Sequence, residues 1–358
     1  MSIQDDICCN IKFIHSSKTI ASLILYCVSG TLLTLVNKLI VVIFPYVNVL
    51  LVLQNGIAVI LLVFFSQGFR HTFESLPELN VNIVKLWMPL VLLFVMMLTS
   101  SLFALMYVTV PTFIVMRNFT TLSVALLEYV FLNNQIDGFS TLTLIGMLLA
   151  AILYSKHDLT FNIQGYTWLS VNIIGTSAYQ IYMKKIIHLP VFENIGSIGM
   201  SYYNNFISLP ILLICACIMG ELTTLLLKSD LRHILHMKNI SIILLSGILG
   251  FSLSVSAFAL NKLISATSMM VANNANKFFI IVLSQIFVQF TLDLKASIGA
   301  ISVLFLGCLY SQAEKPLSTK LIIMTVIVFT ACNIILEYKN INISIFNSAY
   351  HSHLNSTS

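Results

Sequence analysis

VKLWMPLVLLFVMMLTSSLFALMYV, residues 84–108, carries a single charge, Lys85, at its edge. At about 1.5 Å per residue, a helical run of this kind reaches across the roughly 30 Å of hydrocarbon in a bilayer. Comparable runs lie at about 19–42, 46–67, 111–133 and 138–155, and again at about 164–187, 196–220, 240–260, 265–290 and 296–312. The polar stretch Ser155-Lys156-His157-Asp158 opens the gap near 155–163 that divides two sets of five. No polar stretch is long enough to fold as a separate domain.

Composition agrees with the runs. The chain has 358 residues, 58% of them hydrophobic and 9% charged, with a mean hydropathy of +0.96. Soluble domains carry about 25% charged residues and cannot hide this much apolar surface from water. Lipid accepts that surface, but only where each spanning segment satisfies its own backbone hydrogen bonds. The predicted fold is therefore all-α and polytopic: ten transmembrane helices in two inverted five-helix repeats, with an eleventh C-terminal helix in question. Residues 1–18 read as a cytosolic tail, 19–313 as the membrane domain (repeats at about 19–155 and 164–313), and 314–358 as a C-terminal tail. Within that tail, 321–336 has no charge and is expected to cross, which would make the sequons Asn342-Ile343-Ser344 and Asn355-Ser356-Thr357 luminal.

The basic residues favour a cytosolic N-terminus, with Lys12, Lys18, Arg70, Lys85, Lys184 and Lys185 among those on that side. Five spans is an odd number, so the second set would enter from the opposite face. Inverted repeats of this kind place a site near the bilayer midplane in secondary transporters. The net charge of +5 is spread over short loops, with no basic helix to hold nucleic acid. Cys215, Cys217, Cys308 and Cys332 are isolated in apolar runs and read as small hydrophobes, whereas Cys8-Cys9 could be acylated. The first span has no cleavage signature and is expected to stay.

Charges inside spans are costly and are functional candidates for that reason. Arg117 lies in the fourth run, in Pro111-Thr112-Phe113-Ile114-Val115-Met116-Arg117-Asn118, and Lys277 in the ninth, in Ala272-Asn273-Asn274-Ala275-Asn276-Lys277. The plainer reading is snorkelling, or pairing with a carboxylate such as Glu128. Two cations on equivalent spans would suit a substrate with two phosphates. In Tyr202-Tyr203-Asn204-Asn205 the two amides point about 100° apart, and each offers a donor and an acceptor that can match a purine edge. Helix-to-helix hydrogen bonding explains such asparagines equally well. Asn273, Asn274 and Asn276 would be expensive against lipid and are expected to line water or sugar hydroxyls. His233 and His236 share a charged loop, about 221–239, that is better read as solvated than as a metal site. No nucleophile elbow, phosphate loop or zinc signature occurs, and the only adjacent carboxylates, Asp5-Asp6, lie in the N-terminal tail, so enzyme readings lack their residues.

From about residue 20 to 313 the chain resembles the nucleotide-sugar transporters of the drug/metabolite transporter superfamily, closest to the Golgi GDP-mannose transporters. Leu32-Leu33-Thr34-Leu35-Val36-Asn37-Lys38 is similar to the end of that family's first helix. Met116-Arg117-Asn118-Phe119-Thr120 is similar to its Phe-Lys-Asn-Leu-Thr segment, and Met183-Lys184-Lys185 to the basic end of helix six. The most specific match is Tyr202-Tyr203-Asn204-Asn205, followed by Leu209-Pro210-Ile211-Leu212-Leu213. The resemblance implies that Asn204 and Asn205 recognise the guanine nucleotide. It also implies that Asn273-Asn274-Ala275-Asn276-Lys277 stands for the helix-nine Gly-Ala-Leu-Asn-Lys motif that contacts sugar and phosphate. Phe258-Ala259-Leu260-Asn261-Lys262 matches that motif more literally but ends the eighth span, too close to Asn205 in sequence. Tyr26 and Ser252 resemble further nucleotide-site positions, Phe113 replaces a Tyr, and Arg117 replaces a Lys.

The function so implied is import of a GDP-sugar, GDP-mannose first, into the Golgi lumen in exchange for GMP. A UDP-sugar or phosphorylated-metabolite transporter, or a scaffold that transports nothing, is the alternative. Partners are the nucleotide sugar, the nucleoside monophosphate and lipid, and a homodimer is compatible with either reading. No catalytic residue, metal or cofactor is expected.

Overall fold

The computed structural model describes residues 3–68, 76–77, 80–132, 138–156, 162–187, 189–193, 195–227 and 237–263, and a few single residues between 273 and 306. The runs expected at 265–290 and 296–312 lie outside these apart from those single residues. Asn274, the 321–336 run and both sequons lie outside them entirely.

Every element among the described residues is a helix: α1 (Ile3–Ile43), α2 (Val47–Gly68), α3 (Val81–Tyr107), α4 (Val110–Met116), α5 (Phe119–Leu132), α6 (Gly138–Lys156), α7 (Ile163–Ile187), α8 (Pro190–Glu193), α9 (Ser197–Ile218), α10 (Glu221–Leu227) and α11 (Met237–Leu263). Six stretches are long and apolar enough to cross a bilayer: Thr19–Ile43, Val47–Gly68, Val81–Tyr107, Val110–Leu127, Ser197–Ile218 and Asn239–Asn261. The chain is a polytopic all-α membrane protein. Its polarity is distributed for lipid. Ile24, Val42, Ile60, Phe64, Leu142, Leu149 and Ile218 are exposed on the outside, whereas Asn48, Gln54, Asn55, Asn172, Asn204 and Asn205 are buried within.

Helix ends follow local chemistry. Asn80 caps α3 by accepting from the Asn82 N–H at 2.9 Å, and Asn162 caps α7 by accepting from Gln164 and Gly165. Lys38 of α1 donates to the carbonyls of Leu105 and Val108 at 2.7 and 2.8 Å, closing the C-terminal end of α3. Thr109 opens α4, with Pro111 in the first turn where its missing N–H costs nothing. Gly220, at φ +70°, ends α9 in the left-handed region that only glycine enters cheaply.

Three local features depart from the expected spans. Helix α1 begins at Ile3, within the expected tail, while its apolar spanning stretch is Thr19–Ile43, as expected from about 19–42. The charged stretch taken as a loop from about 221 opens with the helix α10. Its Glu221 carboxylate accepts from the backbone N–H groups of Asn48 (2.8 Å) and Val49 (3.1 Å) and from Asn48 Nδ2 (2.8 Å). An anion thus sits on the N-terminus of α2, where free N–H groups and the helix dipole favour it. Burial pushes the Glu221 pKa up, and the hydrogen bonds from Val49 and Asn48 oppose that rise.

The third departure is in the fourth span, expected to run unbroken over 111–133. It is divided at Arg117-Asn118 into α4 and α5. There the Asn118 N–H bonds Val115 O at 3.1 Å rather than Ile114 O, and the Thr120 and Thr121 N–H groups bond three residues back as well. Asn118 Nδ2 replaces the lost bond by donating to Ile114 O at 3.0 Å. Tightened turns of this kind inside a helix mark hinges and functional sites.

Helix α3 packs along α7 and α9, α1 along α11, α2 along α9 and α11, and α5 along α7. Amides fasten these pairs. Gln54 Nε2 donates to Asn37 Oδ1 (2.9 Å) and Ser246 Oγ (3.0 Å), tying α2 to α1 and α11. Asn172 Nδ2 reaches from α7 to Met97 O on α3 at 2.8 Å.

Candidate substrate-binding site

Tyr26 and Gly30 lie one turn apart on α1 and face the segment that carries residues 273–277. The Tyr26 hydroxyl donates to Asn273 Oδ1, and Thr31 Oγ1 donates to Asn276 Oδ1 at 2.6 Å. A Cβ at Gly30 would lie 2.7 Å from Asn276 Nδ2, so the bare glycine lets the two segments approach this closely. One residue on, Lys277 Nζ donates to Asn118 Oδ1 at 2.9 Å. The neighbouring Arg117 guanidinium stacks 5.6 Å from the centroid of the buried Phe113 ring. It also lies close enough to Tyr26 to interact with its hydroxyl electrostatically. Lys277 therefore bonds the residue next in sequence to Arg117, from a distant part of the chain.

The contacts of Arg117 among the described residues, Phe113 and Tyr26, include no carboxylate. The Glu128 side chain, considered as a partner, lies outside the described part. A guanidinium laid over an aromatic ring keeps its N–H donors available for an anion.

A second polar cluster lies on α9 and α11. Asn204 is fully buried, and neither its Nδ2 nor its Oδ1 has a hydrogen-bond partner among the described residues. Asn205 differs, as their angular separation requires. Its Nδ2 donates to Ser201 O (2.8 Å) and Ser254 Oγ (3.1 Å), and Ser201 and Ser254 hydrogen-bond each other. Tyr203, also buried, packs at a tilt against Trp87 of α3 with ring centroids 6.5 Å apart. Leu253, adjacent to Ser254, lies against Gly30, so the asparagine pair sits at the level where α1 meets residue 276. No hydrogen bond joins the two clusters among the described residues.

Ser252 does not join either cluster through its side chain, which donates to Ile248 O of its own helix at 3.0 Å. The Phe258–Lys262 stretch closes α11: Phe258 packs on Trp87, and Asn261 Nδ2 turns back to Ala257 O at 2.9 Å. Asn118, Thr31, Ser201 and Ser254 belong to the site without having been singled out. For Asn118 the signal was present, since it adjoins the buried Arg117; the hydroxyls gave none.

Basic residues within the membrane runs and a buried amide without a partner among the described residues, in a helical bundle, define a polytopic membrane protein with polar groups in its interior. A family model described as the Triose-phosphate Transporter family matches residues 18–311, and the chain belongs to that family. Among curated proteins it is similar to "GDP-mannose transporter GONST1" of Arabidopsis thaliana, 27% identical over 84% of this chain and 90% of the relative. It is also similar to "Probable GDP-mannose transporter 2" of Saccharomyces cerevisiae, 25% identical over 82% of this chain and 91% of that one. A third, "GDP-mannose transporter" of Komagataella pastoris, is 30% identical over 54% of this chain and 59% of its own length.

Proposed function

We propose that this protein carries GDP-mannose across the Golgi membrane into the lumen in exchange for GMP, by alternating access around the site above. The observation that carries the reading is the Lys277–Asn118 hydrogen bond, which brings one predicted cation to the residue next in sequence to the other, Arg117. Their charges would neutralise the diphosphate. Asn204, whose amide lacks partners among the described residues, would read the guanine, with Asn205 shaping its surroundings. Tyr26 and Asn273, Asn274 and Asn276 would face the sugar and ribose hydroxyls, and Phe113 would back the guanidinium. Ser252 would have to turn from its own helix to take part.

The architecture we infer has ten spans in two inverted repeats of five, at about 19–155 and 164–313. Packing supports it. Exchanging α1 with α7, α2 with α9 and α3 with α11 turns the α3–α7 pair into α11–α1. The same exchange turns α3–α9 into α11–α2, and returns α2–α9 to itself. The ends agree as well: Glu221 after α9 caps the start of α2, and Pro77 after α2 lies against Gly199 at the start of α9. An inverted pair of repeats would centre the site at the midplane.

A phosphorylated metabolite is the second reading, favoured by the description of the family itself. Purified protein in liposomes separates them. GDP-mannose should enter only vesicles preloaded with GMP, and UDP-sugars or triose phosphates should compete weakly. Uptake driven as well by triose phosphate as by GMP would transfer the assignment to the second reading.

A further inference from the structure

Asn118 has two roles that its neighbours do not share. Its Nδ2 replaces a main-chain donor at the break between α4 and α5, bonding Ile114 O at 3.0 Å. Its Oδ1, fixed in direction by that bond, accepts from Lys277 Nζ at 2.9 Å. The Asn118 side chain is buried, 1% exposed, and Lys277 is half-buried beside it. An ammonium inside a membrane protein needs acceptors at all times. Substrate phosphate oxygens would supply better ones than a neutral amide, because a doubly charged hydrogen bond is shorter and stronger. Asn118 is therefore a weak resident acceptor for Lys277, and phosphate would be a stronger visiting one.

We propose that Asn118 is a positioning residue that holds Lys277 in the empty site and so restrains the empty carrier from changing conformation. The proposal rests on the transport reading above. With no phosphate bound, the Lys277–Asn118 bond ties the ninth run to the hinge in the fourth span. When phosphate takes the ammonium, the tie is released and the hinge is free to move. A bond from a charged donor shifts a two-state equilibrium by about ten- to a hundredfold. That range is enough to make an exchanger of a carrier that would otherwise return empty. The carboxamide suits this role because its hold is intermediate. An aspartate would hold Lys277 too firmly, and an aliphatic residue would not hold it.

The variant Asn118→Ser isolates the tie. Serines in this chain bond back to carbonyls four residues earlier, as Ser29 does to Leu25 O and Ser177 to Ile173 O. A serine hydroxyl at this position would thus still satisfy Ile114 O but could not reach Lys277. In liposomes, wild-type protein should take up labelled GDP-mannose only against preloaded GMP. Asn118→Ser should raise the ratio of uptake into empty vesicles to uptake against preloaded GMP about tenfold over wild type. Asn118→Asp should do the opposite, leaving empty-vesicle uptake at background and raising the exchange KM about tenfold with less effect on the maximal rate. An Asn118→Ser protein that still requires preloading as strictly as wild type overturns the proposal and leaves the transport reading standing. Should Asn118→Ser fail to fold, an unchanged KM in Asn118→Asp overturns it instead. Wild-type vesicles that take up no nucleotide sugar in either condition overturn both.

Discussion

Asn204 is a residue that packing alone does not account for. Its fully buried amide has no partner among the described residues; each unmet group costs about 1–3 kcal/mol, which an apolar side chain of similar size would avoid. Asn204→Leu should therefore raise the melting temperature of the ligand-free protein while abolishing nucleotide binding. Asn204→Ala should weaken GMP and GDP-mannose by a similar factor, roughly tenfold or more, since the base is common to both. A loss confined to the sugar-bearing ligand would remove Asn204 from the base. Lys277→Ala should stop transport in a protein that still folds and expresses, because the phosphate loses its cation. Normal uptake by a folded Lys277→Ala protein would return the residue to snorkelling. Arg117, Lys277 and Asn204 could be picked out from sequence because charges and amides are conspicuous in apolar runs. Thr31 and Ser254 could not, since hydroxyls occur throughout such helices and bond their own backbone as often as a neighbour.

At the scale of the element, the spans could be read because their length and apolarity are imposed by the bilayer. The expected spans 46–67, 84–108, 138–155, 164–187, 196–220 and 240–260 agree with α2, α3, α6, α7, α9 and α11 to within three residues at each end. The features that escaped depend on partners far away in sequence. Glu221 is 173 positions from Asn48, and nothing near it distinguishes a helix-capping carboxylate from a loop charge. The hinge at Arg117-Asn118 escaped for a different reason. It contains neither proline nor glycine, and nothing in the local sequence shows that the Asn118 amide will bond Ile114 O in place of its own N–H. The cap gives a separate prediction. Glu221→Ala leaves two N–H groups of α2 and the Asn48 amide without their acceptor, so stability should fall by about 1–2 kcal/mol. A lower melting temperature with unchanged KM for GDP-mannose is the expected pair of results. A changed KM at constant melting temperature would assign Glu221 to the site rather than to α2.

For the whole molecule, the proposed inverted repeat makes a statement that no single helix makes. Similarity between the halves in sequence is faint, because each helix has adapted its side chains to its own neighbours. The exchange of packing partners retains the relation where residue identity has lost it. In a parallel repeat, equivalent ends of α2 and α9 would share one face of the membrane. In an inverted repeat they are on opposite faces, since α2 ends where α9 begins. Gln67, near the end of α2, and Met219, just past the end of α9, are both exposed and hold equivalent positions. With the seven native cysteines replaced, Gln67→Cys should react with a membrane-impermeant maleimide added outside sealed Golgi vesicles. Met219→Cys should react only after the vesicles are opened with detergent. The reverse pattern would keep the inversion but place the N-terminus in the lumen, against the distribution of lysine and arginine. Labelling of both positions from one side would defeat the inverted repeat, and with it the reason for placing the Arg117–Lys277 site at the midplane.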